Sequence, residues 1–177
     1  LEAFEPDFVY VHGDTTTTMA SSIAGFYIGA KVCHIEAGLR TNNILSPFPE
    51  EMNRQVTGRI ASYHFAPTSK SQENLVQENV PKENILVTGN TVIDALLEGS
   101  NRIKTLENKE LTTLKNTVDF NKRIVLVTGH RRENHGQGFI NICAALKEIA
   151  LKNPEVAVIY PVHLNPNVLK PVHALLD

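Results

Sequence analysis

The sequence has no long apolar run. Of its 177 residues, 42% are hydrophobic, yet no stretch approaches the ~20 residues that a membrane-spanning helix needs. No membrane role is expected. It also has little excess charge: a net charge of −2 supplies no field to attract a polyanion, so no nucleic-acid partner is expected. There are only two cysteines, Cys33 and Cys143, and they form no Cys-x-x-Cys pair. A disulfide framework is excluded, and a reducing cytoplasm is the default location. Cys33 lies in an apolar strand-like run and Cys143 on an apolar helix face, so both are expected to pack as small hydrophobes. A basic n-region, an apolar h-region and a cleavage site are all lacking. Internal repeats and low-complexity segments are lacking too. The apolar fraction excludes a disordered chain, and the length suits one domain or two small ones.

The chain opens at Leu1 without a methionine. LEAFEPD has the pattern of a last helical turn, and LKPVHALLD ends inside a helical pattern. An internal piece of a longer protein is expected, with part of its functional site elsewhere.

What is present is an alternation of strands and helices. FVYVH (Phe8–His12) is a compact apolar, β-rich run of the kind found in buried parallel strands. In GDTTTTMASSIAGFYIGA, Met19, Ile23, Phe26 and Tyr27 recur at helical spacing, and the threonines supply hydroxyls suited to capping. KVCHIE (31–36) is a second strand, which completes a β-loop-α-β unit of a parallel sheet. Residues 37–49, AGLRTNNILSPFP, hold glycine, prolines and asparagines. They form a loop longer than α/β connections usually are, and such loops are more often functional than idle.

A helix is expected over Glu50–Ile60, after Pro49 and with two acidic residues in its first turn. A third strand (62–67), a helix opened by Thr68 or Ser69, a fourth strand (84–90) and the helix TVIDALLEGSNRI follow. Residues 104–122 are polar and weakly periodic, and read as a helix end plus a surface connection. The pattern restarts with RIVLVTGH (123–130), a helix striped by Phe139, Ile142, Leu146 and Ile149, the strand VAVIYPVH (156–163) and a final helix. The fold class is therefore α/β.

Open parallel sheets bind ligands beyond the carboxyl ends of their strands, and polar residues gather there. The first strand ends in His12 and Asp14, the second in His34, Glu36 and Arg40. The restarted strand ends in His130, Arg131 and Arg132, and the next in His163. Each has a plain alternative. Asp14 suits a helix cap, Glu36 a structural pair with Arg40, and Glu50 and Glu51 a helix N-terminus. His64 suits a structural histidine inside a strand, and no role is assigned to His135 or His173. Arg131 and Arg132 suit either a solvated charge pair or phosphate contact.

The i, i+2 spacing of His12 with Asp14, and of His34 with Glu36, puts each pair on one strand face. That would suit a carboxylate–histidine metal site, but no third or fourth clustered ligand accompanies them, so no metal is expected. Walker-A and G-x-G-x-x-G patterns are absent. GHRRENHGQG is a glycine-containing loop able to hold phosphate at a helix N-terminus.

Seven ordered motifs, HGDTTTT, HIEAGLRT, SPFPEEMNRQ, HFAPT, TGNTVIDAL, TGHRREN and YPVHLNPNV, closely resemble the non-hydrolysing UDP-N-acetylglucosamine 2-epimerases. The resemblance runs from Asp7 to the C-terminus. It implies two Rossmann-like domains in a glycosyltransferase type-B arrangement, both incomplete in this chain, with substrate in the cleft between them. Residues 1–89 would be the C-terminal part of the first domain and residues 90–177 the N-terminal part of the second.

It further implies interconversion of UDP-GlcNAc and UDP-ManNAc, by elimination and re-addition of UDP through 2-acetamidoglucal, without a cofactor. Asp14, Glu36 and Glu50 match the catalytic carboxylates, with Asp14 and Glu36 on the substrate. His130 matches the residue at the UDP phosphates. Arg131 and His163 match positions of a second, activating UDP-GlcNAc. A UDP-sugar substrate, a homodimer and a role in cell-surface polysaccharide synthesis are implied as well. The family's N-terminal glycine-rich loop and its later serine-glycine-glycine loop are not in this sequence, so the segment by itself is expected to be inactive.

The hydrolysing relatives, which release ManNAc and UDP, carry an arginine and bulkier residues after the Gly-Asp pair, unlike HGDTTTT. Two rivals from other classes are a metal-dependent phosphoesterase using HGD and TGH, and a sugar-nucleotide sensor without turnover.

Overall fold

The computed structural model describes residues 3–129 and 134–176. By internal packing the chain divides into two units, Leu1–Lys104 and Thr105–Asp177. The join expected near Asn90 lies one helix earlier than this division.

In the first unit, β1 (Phe8–His12), β2 (Lys31–Ile35), β3 (Tyr63–Ala66) and β4 (Ile85–Val87) form a parallel sheet in sequential order. The register aligns Val11 with His34, His34 with His64, and His64 with Ile85. The connections are α1 (Thr16–Tyr27), α2 (Glu50–Ile60) and α3 (Ser69–Gln77), with α4 (Thr91–Ile103) after β4. Right-handed crossovers between parallel strands in sequential order are expected to place the connecting helices on one face, and α1 packs against α2.

Caps start the helices where the sequence supplies hydroxyls or amides. Thr15 accepts a hydrogen bond from the Thr18 N–H, Thr68 from that of Ser71 and Asn90 from that of Val92. The helix α1 forms as its spacing predicts, but it does not bury the stripe of Met19, Ile23, Phe26 and Tyr27. Its buried residues are Thr18, Ser22 and Gly25, while Phe26 and Tyr27 are exposed. Small side chains let the helix approach closely: a Cβ on Gly25 would stand 3.2 Å from both Val9 and Val32. The polar ones satisfy themselves locally, Thr18 donating to the His12 carbonyl (2.6 Å) and Ser22 to that of Thr18 (2.8 Å).

In the second unit, β5 (Arg123–Leu126) and β6 (Val156–Ile159) pair in parallel. The helices are α5 (Lys109–Thr117), α6 (Gln137–Lys152) and α7 (Pro166–Leu176). Phe139 and Cys143 of α6 pack on Val168 and Val172 of α7. The helix α5 corrects the reading of 104–122 as a helix end plus a surface connection: a separate helix forms there. Asn108 caps it by accepting from the Leu111 N–H at 2.8 Å, and none of its residues is buried.

Both units are α/β with parallel strands, as expected. Cys33 and Cys143 are free and buried, and burial pushes both thiols up, so both pack as apolar residues. Among the described residues, no helix is long and apolar enough to cross a membrane.

Candidate active site

The chain leaves β1 through Gly13, whose φ of +72° lies in the left-handed region that glycine adopts without strain. Its N–H donates to the Ile35 carbonyl at 3.0 Å. His34 Nε2 lies 2.8 Å from the Gly13 carbonyl; a carbonyl only accepts, so Nε2 carries the proton. This turn delivers Asp14. The helix cap belongs to Thr15, which corrects the reading of Asp14 as the cap. The Asp14 side chain instead accepts from Arg54 Nη2 at 2.8 Å, and its backbone carbonyl accepts from Asn53 Nδ2 at 2.8 Å. The first turns of α2 therefore hold residue 14 by main chain and side chain together.

Glu36 follows β2 with a φ of +67°, a conformation that costs about 1–2 kcal/mol in a residue with a Cβ. Its neighbours fix it there. The Ala37 N–H donates to the Phe65 carbonyl at 3.0 Å. Gly38, at φ +87°, lies so close to α3 that a Cβ would stand 2.2 Å from the Ser71 carbonyl oxygen. The result is a carboxylate turned toward the end of β1. Glu36 Oε2 lies 3.5 Å from His12 Nε2 and 3.4 Å from the place of a Cβ on Gly13.

Glu36 does not pair with Arg40, contrary to the structural alternative considered for it. Arg40 runs to the end of α3 and grips Glu78 with two hydrogen bonds, Nε to Oε1 (2.6 Å) and Nη2 to Oε2 (2.8 Å).

The two acidic residues that open α2 differ. Glu50 is half-buried, and with Asn53 and Arg54 it occupies positions i, i+3 and i+4, one face of the helix. Glu51 is fully buried. It accepts from the N–H groups of Thr41 (3.1 Å) and Asn42 (3.2 Å) and from Gln55 Nε2 (2.9 Å). Its Oε2 also lies 3.5 Å from Arg54 Nε. Burial pushes the Glu51 carboxyl up, but the bonds from Gln55, Thr41 and Asn42 and the Arg54 charge outweigh it, holding the group below the usual carboxylate value. Glu51 is thus the residue that folds the 37–49 loop back onto α2.

His34 and His64 are register partners across β2 and β3, and both are buried. Burial pulls each down to about 4, so both are neutral at pH 7. Neither Nδ1 has a hydrogen-bond partner among the described residues. His64 is buried inside β3, as expected of a histidine within a strand, but its Nδ1 is not satisfied among the described residues. Among the described residues, no three His, Cys, Asp or Glu side chains gather as metal ligands would.

His130, Arg131 and Arg132 lie outside the described residues. Beside them, the Gly129 carbonyl accepts from the Tyr160 hydroxyl at 2.6 Å, which ties the segment after β5 to that after β6. His163 is exposed, and its Nδ1 accepts from the Asn165 N–H at 3.1 Å, ahead of α7. A concavity of about 660 Å³ between Asp7, Tyr27 and Lys31 lies at the amino ends of the strands, away from these carboxylates.

Asn53 and Arg54 were not singled out in the sequence, and Glu51 was read only as suiting a helix N-terminus. The signal available was the helical spacing of Glu50, Asn53 and Arg54 within SPFPEEMNRQ.

The family model described as UDP-N-acetylglucosamine 2-epimerase matches residues 1–177. The chain is 56% identical over 178 residues to the UDP-N-acetylglucosamine 2-epimerase of Yersinia pestis, covering 99% of this chain and 47% of that one. Identity to the Salmonella typhimurium protein of the same name is also 56%, with the same coverage. The crystal structure of the Neisseria meningitidis UDP-GlcNAc 2-epimerase bound to UDP-GlcNAc is similar with a TM-score of 0.92 at 48% identity. The match covers 99% of this chain and 48% of that one. The chain spans about half the length of the curated relatives it matches.

Proposed function

The chain belongs to the UDP-N-acetylglucosamine 2-epimerase family, and from that membership we propose that the whole enzyme interconverts UDP-GlcNAc and UDP-ManNAc. In the proposed reaction a carboxylate takes the C2 proton while the C1–O bond breaks, its electron pair leaving on UDP. Bound 2-acetamidoglucal and UDP result. Re-addition forms the C1–O bond again and returns a proton to the opposite face of C2.

Such chemistry needs carboxylates positioned as acid and base on the sugar. The observation that carries the reading is the approach of Glu36 to the Gly13 turn that bears Asp14, across neighbouring strand ends. Glu50 is assigned to the same set because it shares a helix face with the two residues that hold Asp14. His130 is assigned to the departing diphosphate, donating a hydrogen bond that strengthens as charge builds there. Arg131 and His163 are assigned to a second, activating UDP-GlcNAc. The whole enzyme is proposed to be a cytoplasmic homodimer that supplies UDP-ManNAc for cell-surface polysaccharide.

HGDTTTT favours the non-hydrolysing reaction over release of free ManNAc. The test is to incubate the whole enzyme with UDP-GlcNAc in D2O. UDP-ManNAc carrying deuterium at C2 is expected. Free ManNAc with UDP would establish the hydrolysing reaction instead, and unchanged UDP-GlcNAc a sensor. Activity that survives exhaustive chelation is expected, and its loss would favour the metal-dependent alternative. Asp14→Asn is expected to lower the rate by at least ~10² with the fold retained, and His130→Asn to weaken UDP binding.

A further inference from the structure

Asp14 does not hold itself in place. The helix cap beside it is supplied by Thr15. Its carboxylate is directed by a residue forty positions away, through the 2.8 Å bond from Arg54 Nη2. Arg54 is in turn almost wholly buried, so its guanidinium is fixed by what surrounds it. On its other side lies Glu51, fully buried, with Oε2 at 3.5 Å from Arg54 Nε. Glu51 is itself held by backbone N–H groups of the 37–49 loop. A chain of contacts therefore runs from the loop through Glu51 and Arg54 to Asp14. Arg54 Nε makes no hydrogen bond among the described residues, so the guanidinium is oriented by the Asp14 bond and the Glu51 charge.

We propose that Arg54 is the positioning residue for Asp14, with Glu51 as its buried counter-charge. The proposal rests on the reading that Asp14 acts on the sugar. Arg54 itself needs no contact with substrate. A planar guanidinium can face two carboxylates at once, which an ammonium cannot do with the same geometry. Loss of Arg54 would leave Asp14 chemically intact but free to rotate. Misplacement of a reacting group by about 1 Å costs rates on the order of 10²-fold.

The experiment is a double-mutant cycle in the whole enzyme with Asp14→Asn and either Arg54→Met or Arg54→Lys. Arg54→Met is expected to lower kcat by roughly 10- to 100-fold, with KM and UDP affinity nearly unchanged. Arg54→Lys is expected to fall in the same direction and serves if the Met variant does not fold. Combined with Asp14→Asn, either change is expected to add little further loss, because both act through one group. Additive losses, or a fall in UDP affinity with kcat preserved, would overturn the proposal in favour of direct substrate contact or general destabilisation.

If Asp14→Asn alone retains full activity, the catalytic reading of Asp14 fails. The positioning claim is then judged from a crystal structure of the folded Arg54 variant. A reoriented Asp14 carboxylate upholds it, and an unchanged one overturns it.

Discussion

Arg40 and Glu78 are joined by two parallel hydrogen bonds, 2.6 and 2.8 Å long, between the loop after β2 and the end of α3. The Arg40 side chain is 2% exposed and that of Glu78 is 41% exposed. The buried cation thus depends on one half-exposed anion. Removing a partner from a buried pair costs about 3–5 kcal/mol, because the remaining charge is left uncompensated. Water at Glu78 reduces that figure, so Glu78→Gln is expected to destabilise the protein by about 2 kcal/mol. Arg40→Met, which removes the charge, is expected to cost less than Glu78→Gln. Chemical denaturation of the two variants checks the order, and the reverse order would show that the pair's attraction, rather than the orphaned charge, dominates.

Gly38 is the tightest backbone approach at the site. With φ at +87° and the Ser71 carbonyl oxygen 2.2 Å from any Cβ, no side chain fits unless α3 shifts away from the loop. Overpacking of this kind costs roughly 1–3 kcal/mol, and the backbone strain adds about 1–2 kcal/mol. Gly38→Ala is expected to lower the melting temperature by several degrees and to reduce activity by displacing Glu36. A melting temperature within a degree of the parent would mean that the contact relaxes freely.

His34 and His64 give the protein an acid-sensitive window. Each titrates near 6.5 when unfolded and near 4 in the fold. Between those values the unfolded chain binds the additional protons, so stability falls as pH drops from about 6.5 to about 4 and levels off below. Each histidine contributes up to about 3 kcal/mol to that loss. Glu51, held below the ordinary carboxylate value, acts in a lower window: its contribution is present above about 4.5 and is lost as pH falls through its folded value. Unfolding free energies measured from pH 7 to pH 4 are expected to slope downward, and His64→Phe is expected to flatten the slope by about half. A flat profile for the parent would show that the fold lowers the proton affinity of neither histidine.

The strand and helix order was legible because each element carries its own period. Phe8–His12 and Lys31–Ile35 are apolar runs, and Thr15, Thr68 and Asn90 mark helix starts. The helix α5 was not legible because its residues, KELTTLKNT, are mostly polar. The buried face of α1 was misread because Thr18, Ser22 and Gly25 pack by smallness, which an apolar count does not register. Within the site, Asp14 and Glu36 stood out as carboxylates at strand ends. Arg54, Asn53 and Glu51 did not, since their roles come from contacts made ten to forty positions away. Such contacts are products of tertiary packing, with no local signature. The pairing of Arg40 with Glu78 rather than Glu36 follows from the left-handed turn at 36, a backbone choice that residue types alone do not announce.

That turn supplies the sharpest separation of function from stability. Glu36 sits at φ +67°, where any Cβ is strained and glycine is not. At an ordinary position, replacing alanine by glycine destabilises by roughly 0.5–1 kcal/mol through unfolded-state entropy. At residue 36 the order should invert, because relief of about 1–2 kcal/mol of strain exceeds that entropy. Glu36→Gly is therefore expected to be more stable than Glu36→Ala by up to about 1 kcal/mol. Both variants are expected to lose activity by at least ~10², since both lack the carboxylate. Paired denaturation curves and rates in the whole enzyme test the two halves separately. Alanine more stable than glycine would show that the turn carries no strain, while retained activity in either variant would remove Glu36 from the chemistry.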